Sequence, residues 1–359
     1  MENKLNILTS EAVALLKEMV AIPSPSFHED AVCSHISDWM TSKGVQHVRV
    51  GNNLVAEHVV DPSLPTLMLC AHIDTVEPCE GYSFDPYNPE SCPEDMVQGL
   101  GSNDDGASVV SMLAVFRSFA GAQDDREGAQ VNLILVLTCE EERSGVGGMT
   151  GLWSQLQPKV DYAIVGEPTG MKAAVSERGL LVIDATAHGV SGHAARNEGK
   201  NALYIALEDI ETLRRYEFAK VSPKMGKVNL NVTQINAGSA HNVIPDRCDF
   251  VIDIRPTEQY SNLEILEELQ KVCKSELKAR NLANKSSATY EESKLQAAAE
   301  KLGIETFSSA TTSDWMRISC DAIKMGPGDS TRSHRKDEFV YIDEIRNAIE
   351  TYIEFINTL

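Results

Sequence analysis

The sequence has little positive charge, few aromatic residues and no long hydrophobic run. Its 359 residues include 32 Lys and Arg against 53 Asp and Glu, which gives a formal net charge of −21. A phosphate backbone needs a positive counter-surface, so we exclude a nucleic-acid partner. No stretch reaches the roughly 18 apolar residues of a membrane span, and no apolar signal segment follows Met1. We therefore expect a cytoplasmic protein without a membrane partner.

The cysteines lack the spacing of a disulfide or metal framework. Eight are scattered along the chain and none forms a C-x-x-C pair. In a large chain without a secretion signal, such cysteines are expected to be reduced thiols. The length exceeds that of one ordinary core, and 42% of the residues are hydrophobic. The composition therefore predicts a globular protein of two domains.

Three short, almost continuously apolar segments predict strands that are covered on both faces, as in a mostly parallel sheet: 66–70, 131–137 and 162–165. Apolar residues at helical spacing predict three helices, namely one capped at Thr9-Ser10-Glu11 and ending at Val20, one at 107–120 and one at 342–356. This part of the chain is typical of an α/β fold with helices on both faces of the sheet.

The middle of the chain has a different pattern. Alternating apolar and polar residues predict half-buried antiparallel strands at 179–188, 228–235 and 248–254. Helices are predicted at 202–216 and 263–277. We therefore predict a catalytic domain built from 1–171 and 289–359, with a mostly parallel mixed sheet between helices. Residues 172–288 form an inserted α+β domain in this prediction.

Each of the three buried strands runs into histidine or carboxylate residues. The first leads to His72 and Asp74, the second to Glu140-Glu141-Glu142 and the third to Glu167. In open α/β sheets, sites form outside the carboxyl ends of the strands. The pattern therefore predicts a polar site at this edge of the sheet.

Two other segments bring further donors of the same kind. A Gly-rich segment, 99–106, contains Asp104 and opens a helix, and 333–338 contains His334. Imidazole and carboxylate groups suit zinc, and two His, two Glu and one Asp can hold two ions if the Asp bridges them. Such a centre would acidify a shared water molecule.

Each element also has a simpler interpretation. Asp104 and Asp105 could cap the following helix, Glu140–Glu142 could be a solvated charge run, and His334 could be a surface histidine. The Gly-rich segment could suggest a phosphate site, but it lacks the Lys-Ser/Thr ending. The metal site is favoured because all these elements occur together.

At these residues the sequence resembles a family of dizinc deacylases and exopeptidases. That family includes acetylornithine deacetylase, succinyl-diaminopimelate desuccinylase, aminoacylase and glutamate carboxypeptidase. The matching segments run in family order over nearly the whole chain: AHIDTV, GLGSNDDGAS, CEEERSG, GEPTG, SGHAAR, HNVIPD, DIRP and HRKDEF.

The resemblance implies two Zn²⁺ ions, for which Co²⁺ could substitute. His72 and Glu167 would bind one ion, Glu142 and His334 would bind the other, and Asp104 would bridge them. Asp74 would lie behind His72 and orient its ring. Glu141 would be the general base. Because three acids are adjacent, Glu140 and Glu141 could instead be the functional pair.

For 172–288 the resemblance implies a lid and dimerisation domain, and hence a homodimer. His193 would stabilise the oxyanion, in its own or in the partner subunit's site. Asn242 and Arg255 would hold the substrate carboxylate. Alternatively, His193 is a polar strand end and Arg255 pairs with Asp253. The sequence departs from many relatives at Gly106, where they carry a lysine.

The implied activity is hydrolysis of the amide of an N-acyl amino acid. Within that class we expect an N-acetylornithine-type deacetylase of arginine biosynthesis, with N-acetylcitrulline and the N-succinyl compounds as competing substrates. A dipeptidase or carboxypeptidase on the same fold is the main alternative. A non-catalytic binding protein should have lost a metal ligand or the base, whereas every expected position is filled. A purely structural dimer module leaves the acid-tipped strands unexplained.

Overall fold

The computed structural model describes residues 2–89, 92–121, 130–196 and 198–359. It divides into two compact units. The first comprises Met1–Val175, Thr289–Phe307 and Ser313–Leu359, and the second comprises Ser176–Ala288 and Ser308–Thr312. None of the described helices is both long enough and apolar enough to span a membrane. Our assignment of 172–288 as a lid and dimerisation domain stays a prediction.

The helices are α1 Glu2–Val20, α2 Asp30–Ser42, α3 Ala107–Ala120, α4 Met149–Leu156, α5 Ala202–Arg215, α6 Asn262–Val272, α7 Lys294–Lys301 and α8 Ile342–Thr358. The strands are β1 Val48–Val50, β2 Asn53–His58, β3 Thr66–His72, β4 Met96–Gln98, β5 Asn132–Thr138, β6 Tyr162–Val165, β7 Ala173–Glu177, β8 Leu181–His188, β9 Gly192–His193, β10 Asn229–Ala237, β11 Val243–Ile244, β12 Arg247–Arg255, β13 Glu276–Ala279, β14 Ser287–Ala288, β15 Thr306–Ser309, β16 Asp321–Lys324 and β17 Phe339–Tyr341.

The first unit is built on a mostly parallel sheet with the strand order β1-β2-β5-β3-β6-β16-β7. Neighbours from β5 to β16 are parallel, whereas β1, β2 and β7 pair in the antiparallel sense. In this register His72 lies opposite Thr138, and Cys70 lies opposite Val165. The predicted α/β fold class is confirmed, and the three acid-tipped strands end at one edge of the sheet.

Both faces of the central strand β3 are buried. Leu67, Leu69 and Ala71 belong to the core that includes α1, α3 and α8. Met68 and Cys70 belong to the core on α4. Burying an aliphatic side chain of this size contributes about 1.5–3 kcal/mol, and the two cores hold the carboxyl end of β3 in place.

The first helix begins at Glu2, so the predicted cap at Thr9-Ser10 was wrong. Leu8, Leu15 and Met19 are buried on one stripe that extends upstream of that point. Thr9 is buried inside the helix, and its Oγ1 donates to the Leu5 carbonyl oxygen at 2.9 Å. This bond to the preceding turn satisfies the hydroxyl, so packing of the stripe outweighs the capping preference.

The second unit contains an antiparallel sheet with the order β10-β12-β8-β13. Along β8, Leu181, Ile183, Ala185 and Ala187 are buried in a core shared with α5 and α6. The intervening residues face away from that core. The predicted alternation is therefore found, with one covered face and one open face.

The predicted helix 263–277 was too long. Helix α6 ends at Val272, and Leu277 lies in β13 opposite Ala185. The buried carboxylate of Asp209 accepts the backbone N–H groups of Lys274 and Ser275, at 2.9 and 2.7 Å. In a continuing helix these N–H groups would donate to backbone carbonyl oxygens of the preceding turn. Because they donate to Asp209 instead, the chain leaves the helix here.

Candidate metal centre

His72 is the last residue of β3 and its side chain is buried. Its Nδ1 lies 2.9 Å from the Asp74 backbone oxygen, and its Nε2 lies 3.3 Å from Asp104 Oδ1. A backbone oxygen can only accept, so Nδ1 carries a proton in this contact. Nε2 is then the ring nitrogen that faces Asp104 and that could bind a metal ion, which is the arrangement of a metal-binding histidine.

The Asp74 carboxylate lies beside the same ring, with Oδ1 at 3.5 Å from His72 Nδ1. It also accepts from Ser26 Oγ at 2.7 Å. The backbone N–H groups of Glu141 and Glu142 donate to its two oxygens, at 3.0 and 3.1 Å. Asp74 therefore contacts the end of β3 and holds the segment that follows β5.

Glu141 and Glu142 project toward the other donors, and Glu140 does not. Potential ligand atoms of His72, Glu141 and Glu167 lie within 4.8 Å of one another, as do those of His72, Asp104 and Glu142. The Glu140 carboxylate instead accepts from Gly147 N at 2.8 Å. This geometry favours Glu141 and Glu142 over the alternative pair.

Asp104 lies in the turn Ser102–Gly106, which precedes α3. No side-chain cap bond is found at the start of α3, so the structure does not support the capping interpretation. The buried Glu338 carboxylate accepts the N–H groups of Asn103 and Asp104, both at 3.0 Å. No role was predicted for Glu338 from the sequence, although it lies in the HRKDEF segment.

His334, which lies near the C-terminal end of the chain, is close to Glu142 and Asp104. Its Nε2 lies 2.9 Å from Glu142 Oε1 and 3.7 Å from Asp104 Oδ2. The hydrogen bond to Glu142 raises the pKa of His334 to about 9. The ring is half exposed, so this donor lies at the solvent side of the cluster.

Burial dominates the electrostatics of the cluster. It raises the pKa values of Glu141 and Glu167 well above their usual range, and for Glu167 the charge of Asp104 adds to the effect. Burial would raise the pKa of Asp104 too, but the His72 hydrogen bond and charge hold it below its usual value. Buried carboxylates beside imidazoles are a donor set that fits Zn²⁺.

Gly106 has a steric explanation. A Cβ at this position would lie 2.5 Å from the Gly101 carbonyl oxygen and 2.7 Å from Leu16 Cδ1. Both contacts are far below van der Waals distance. The lysine that many relatives carry here therefore does not fit this backbone.

The remaining predicted residues lie in the second unit. His193 and Asn242 are exposed and are brought together where β9 pairs with β11; Ala194 N donates to the Asn242 carbonyl oxygen at 3.0 Å. Arg255 donates through Nε and Nη2 to the two oxygens of Asp253, at 2.9 and 3.2 Å. Arg255 thus adopts the alternative pairing, and the roles of all three residues stay predictions.

Comparisons with known proteins agree with the two units. A profile described as peptidase dimerisation domain matches residues 175–281, and one described as peptidase family M28 matches 53–170. An acetylornithine deacetylase of Proteus mirabilis is 26% identical and covers 98% of both chains. A succinyl-diaminopimelate desuccinylase of a Wolbachia strain is 25% identical, covering 96% of this chain and 92% of its own.

In sequence and in fold the chain is similar to M20 metallopeptidases and deacylases. A crystal structure of a dinuclear metal binding peptidase of that family, from Bacillus subtilis, matches with a TM-score of 0.74 and 15% identity over 98% of both chains. The resemblance seen in the sequence is thus confirmed, as is the prediction of a hydrolase of the metal-dependent, amide-cleaving type.

Proposed function

We propose that this M20 relative is a two-metal hydrolase that removes an acyl group from the α-nitrogen of an amino acid. The observation that carries the proposal is the convergence of two imidazoles and four carboxylates at the ends of three neighbouring strands and on two loops. Relatives named as a deacetylase and a desuccinylase, matched over nearly the full chain, support the acyl amino acid as substrate.

In this proposal His72 and Glu167 hold one Zn²⁺, Glu142 and His334 hold the other, and Asp104 lies between them. Co²⁺ would substitute for Zn²⁺. Potential ligand atoms of His72, Asp104 and Glu142 lie within 4.8 Å of one another, as do those of His72, Glu141 and Glu167, so these donors are close enough to share two ions. When bound, the ions would polarise the amide carbonyl and acidify a water molecule.

Glu141 is the proposed general base. It takes a proton from the attacking water at its carboxylate and later delivers that proton to the nitrogen of the leaving amino acid. Its carboxylate lies close to His72 and Glu167, within reach of the proposed metal centre. Asp74 orients both His72 and the backbone of Glu141.

Three residues of the second unit are proposed to contact the substrate. His193 would stabilise the oxyanion, and Asn242 and Arg255 would bind the substrate carboxylate, for which Arg255 would have to leave Asp253. The dimerisation-domain match supports a homodimer. Strand β10 lies at the edge of its sheet, and Tyr204 and Leu207 of α5 are exposed, so these features offer a surface for a second copy.

The preferred substrate is N-acetylornithine, which would place the enzyme in cytoplasmic arginine biosynthesis. The test is hydrolysis of N-acetylornithine, N-acetylcitrulline and their N-succinyl counterparts, before and after chelation and zinc repletion. Zinc-dependent release from one of the four supports the proposal and selects the acyl group. A panel of dipeptides, measured beside them, tests the alternative peptidase activity. Hydrolysis of dipeptides alone would contradict the deacylase proposal.

A further inference from the structure

The segment that carries Glu141 and Glu142 is held through three consecutive backbone N–H groups. We call residues 139–144 the acid loop. Glu141 N and Glu142 N donate to Asp74, and Glu140 N donates to Glu29 Oε1 at 3.1 Å. The backbone of the acid loop is thus bound by two carboxylates from other parts of the chain.

Glu29 is completely buried, at 0% exposure, just before α2. Its Oε1 also accepts from Phe27 N at 2.7 Å, and its Oε2 accepts from Asn52 Nδ2 at 3.3 Å. An isolated carboxylate would not be buried in this way without such donors. Hydrogen bonds to an ionised acceptor are roughly twice as strong as neutral ones.

The two residues whose N–H groups meet at Glu29 Oε1 share an uncommon conformation. Phe27 has φ of +73° and Glu140 has φ of +59°. L-residues other than Asn and Asp seldom adopt this left-handed region, and a bulky residue such as Phe does so at an energetic cost. Such conformations persist where the surrounding structure determines them, which is often at functional sites.

We propose that Glu29 is a positioning residue for the catalytic acids. By accepting the Glu140 N–H group, it holds Glu140 in the left-handed conformation immediately before Glu141. The direction in which the Glu141 and Glu142 side chains leave the backbone depends on that turn. The proposal rests on the function proposed above, since it assumes that Glu141 is the base.

The test compares Glu29→Ala with Glu29→Gln. Glutamine retains an oxygen that can accept from both Phe27 and Glu140, whereas alanine removes the acceptor. Because a displacement of about 1 Å can cost about 100-fold in rate, we expect kcat of Glu29→Ala to fall by about 10- to 100-fold. We expect KM to change much less and both metal ions to be retained. Glu29→Gln should recover most of the lost kcat.

Asn132→Ala is the matched control. Asn132 is also buried, and its Oδ1 accepts from two backbone N–H groups, those of Val60 and Asp61 at 2.8 and 3.2 Å. It lies at the start of β5, whereas the acid loop follows the end of that strand. Asn132→Ala should therefore lower stability without lowering kcat. A loss of kcat in Glu29→Ala no larger than in this control would overturn the proposal.

Amide hydrogen exchange gives a second reading that does not depend on activity. Exchange at Glu140–Glu142 should accelerate in Glu29→Ala and stay near the wild-type rate in Glu29→Gln; unchanged exchange in the alanine variant would overturn the proposal. If Glu29→Ala does not fold, Glu29→Asp, whose carboxylate is one methylene shorter, is judged by the same criteria. Wild-type protein that cleaves none of the substrates would contradict the proposed function, while the exchange data would still decide the role of Glu29.

Discussion

The two units treat their carboxylates in opposite ways. On the open sheet face of the second unit, Asp184 pairs with Arg280 at 2.7 Å, and Asp249 pairs with Arg247 at 2.7 Å. These side chains are about half exposed. In the first unit, Asp104 is buried, Glu141 and Glu167 are half-buried, and all three lie close to His72.

The physical consequences of the two arrangements differ. An exposed pair supplies its own counter-charge and contributes about 0–1 kcal/mol. Arg280 lowers the pKa of Asp184, whereas burial raises the pKa of Glu141 and Glu167. Carboxylates at such a density favour the binding of cations. The acids of the first unit thus form a donor set that suits metal ions, whereas those of the second unit pair with arginines of the chain.

The largest expected effect comes from the proposed base. Glu141→Gln keeps the size and most contacts of the side chain but cannot accept a proton. We expect kcat to fall by about 10²- to 10⁴-fold, the usual contribution of a general base. The content of metal should be unchanged, which elemental analysis of the same sample would show. Activity within a few-fold of wild type would assign the base role elsewhere.

The same type of substitution, aspartate to asparagine, can be compared between the two units. Asp104→Asn removes the charge of the proposed bridging ligand, so fewer than two metal ions should be retained and activity should be lost. Asp184→Asn removes one charge of an exposed pair, so metal content should be unchanged and stability should change by about 0.5 kcal/mol or less. Calorimetric metal titration and denaturant unfolding measure the two effects. Equal metal loss in both variants would contradict the contrast.

The smallest expected effect is the pH dependence of stability in chelated protein. Burial raises the pKa of Asp314 to about 6, and Thr138 Oγ1 donates to its Oδ2 at 2.7 Å. Since the unfolded value is about 4, its contribution to stability is fully present below pH 4 and is lost as pH rises through about 6. Asp314→Asn should flatten that decline.

Asp184 should show the opposite sign. Its pKa is lowered by Arg280, so its contribution is present above the unfolded pKa and is lost as pH falls. Asp184→Asn should therefore flatten a decline toward acid. The free energy of unfolding of each variant, measured between about pH 3 and 8, is compared with that of the wild type. The two differences should change with pH in opposite directions. Differences that change in the same direction would contradict these assignments.

Much of the fold was predictable because local patterns and tertiary packing agree. The segments 107–120 and 162–165 have the same bounds in the structure as were predicted from the sequence. Most of their apolar residues are buried, so the local pattern and the tertiary packing favour the same bounds. The start of α1 and the end of α6 were missed. In both places a long-range feature, the buried stripe around Leu8 or the carboxylate of Asp209, determines the boundary.

In the candidate site, too, some residues were predicted from the sequence and others were not. The predicted donors His72, Asp104, Glu142, Glu167 and His334 lie together, because parallel strands deliver their following residues to one edge. Glu29 and Glu338 could not be found in this way. The carboxylate of each accepts hydrogen bonds from backbone N–H groups of a loop that is distant in sequence. Such contacts leave no spacing pattern in the sequence.

The most direct test of the central claim is the number of metal ions bound by active protein. Chelated protein is titrated with zinc while the hydrolysis of the four acyl amino acids is followed in the same samples. We expect two ions per chain, with activity recovered as the sites fill, and no recovery in Asp104→Asn. Full activity in chelated protein, or zinc binding without any effect on hydrolysis, would contradict a two-metal amidohydrolase.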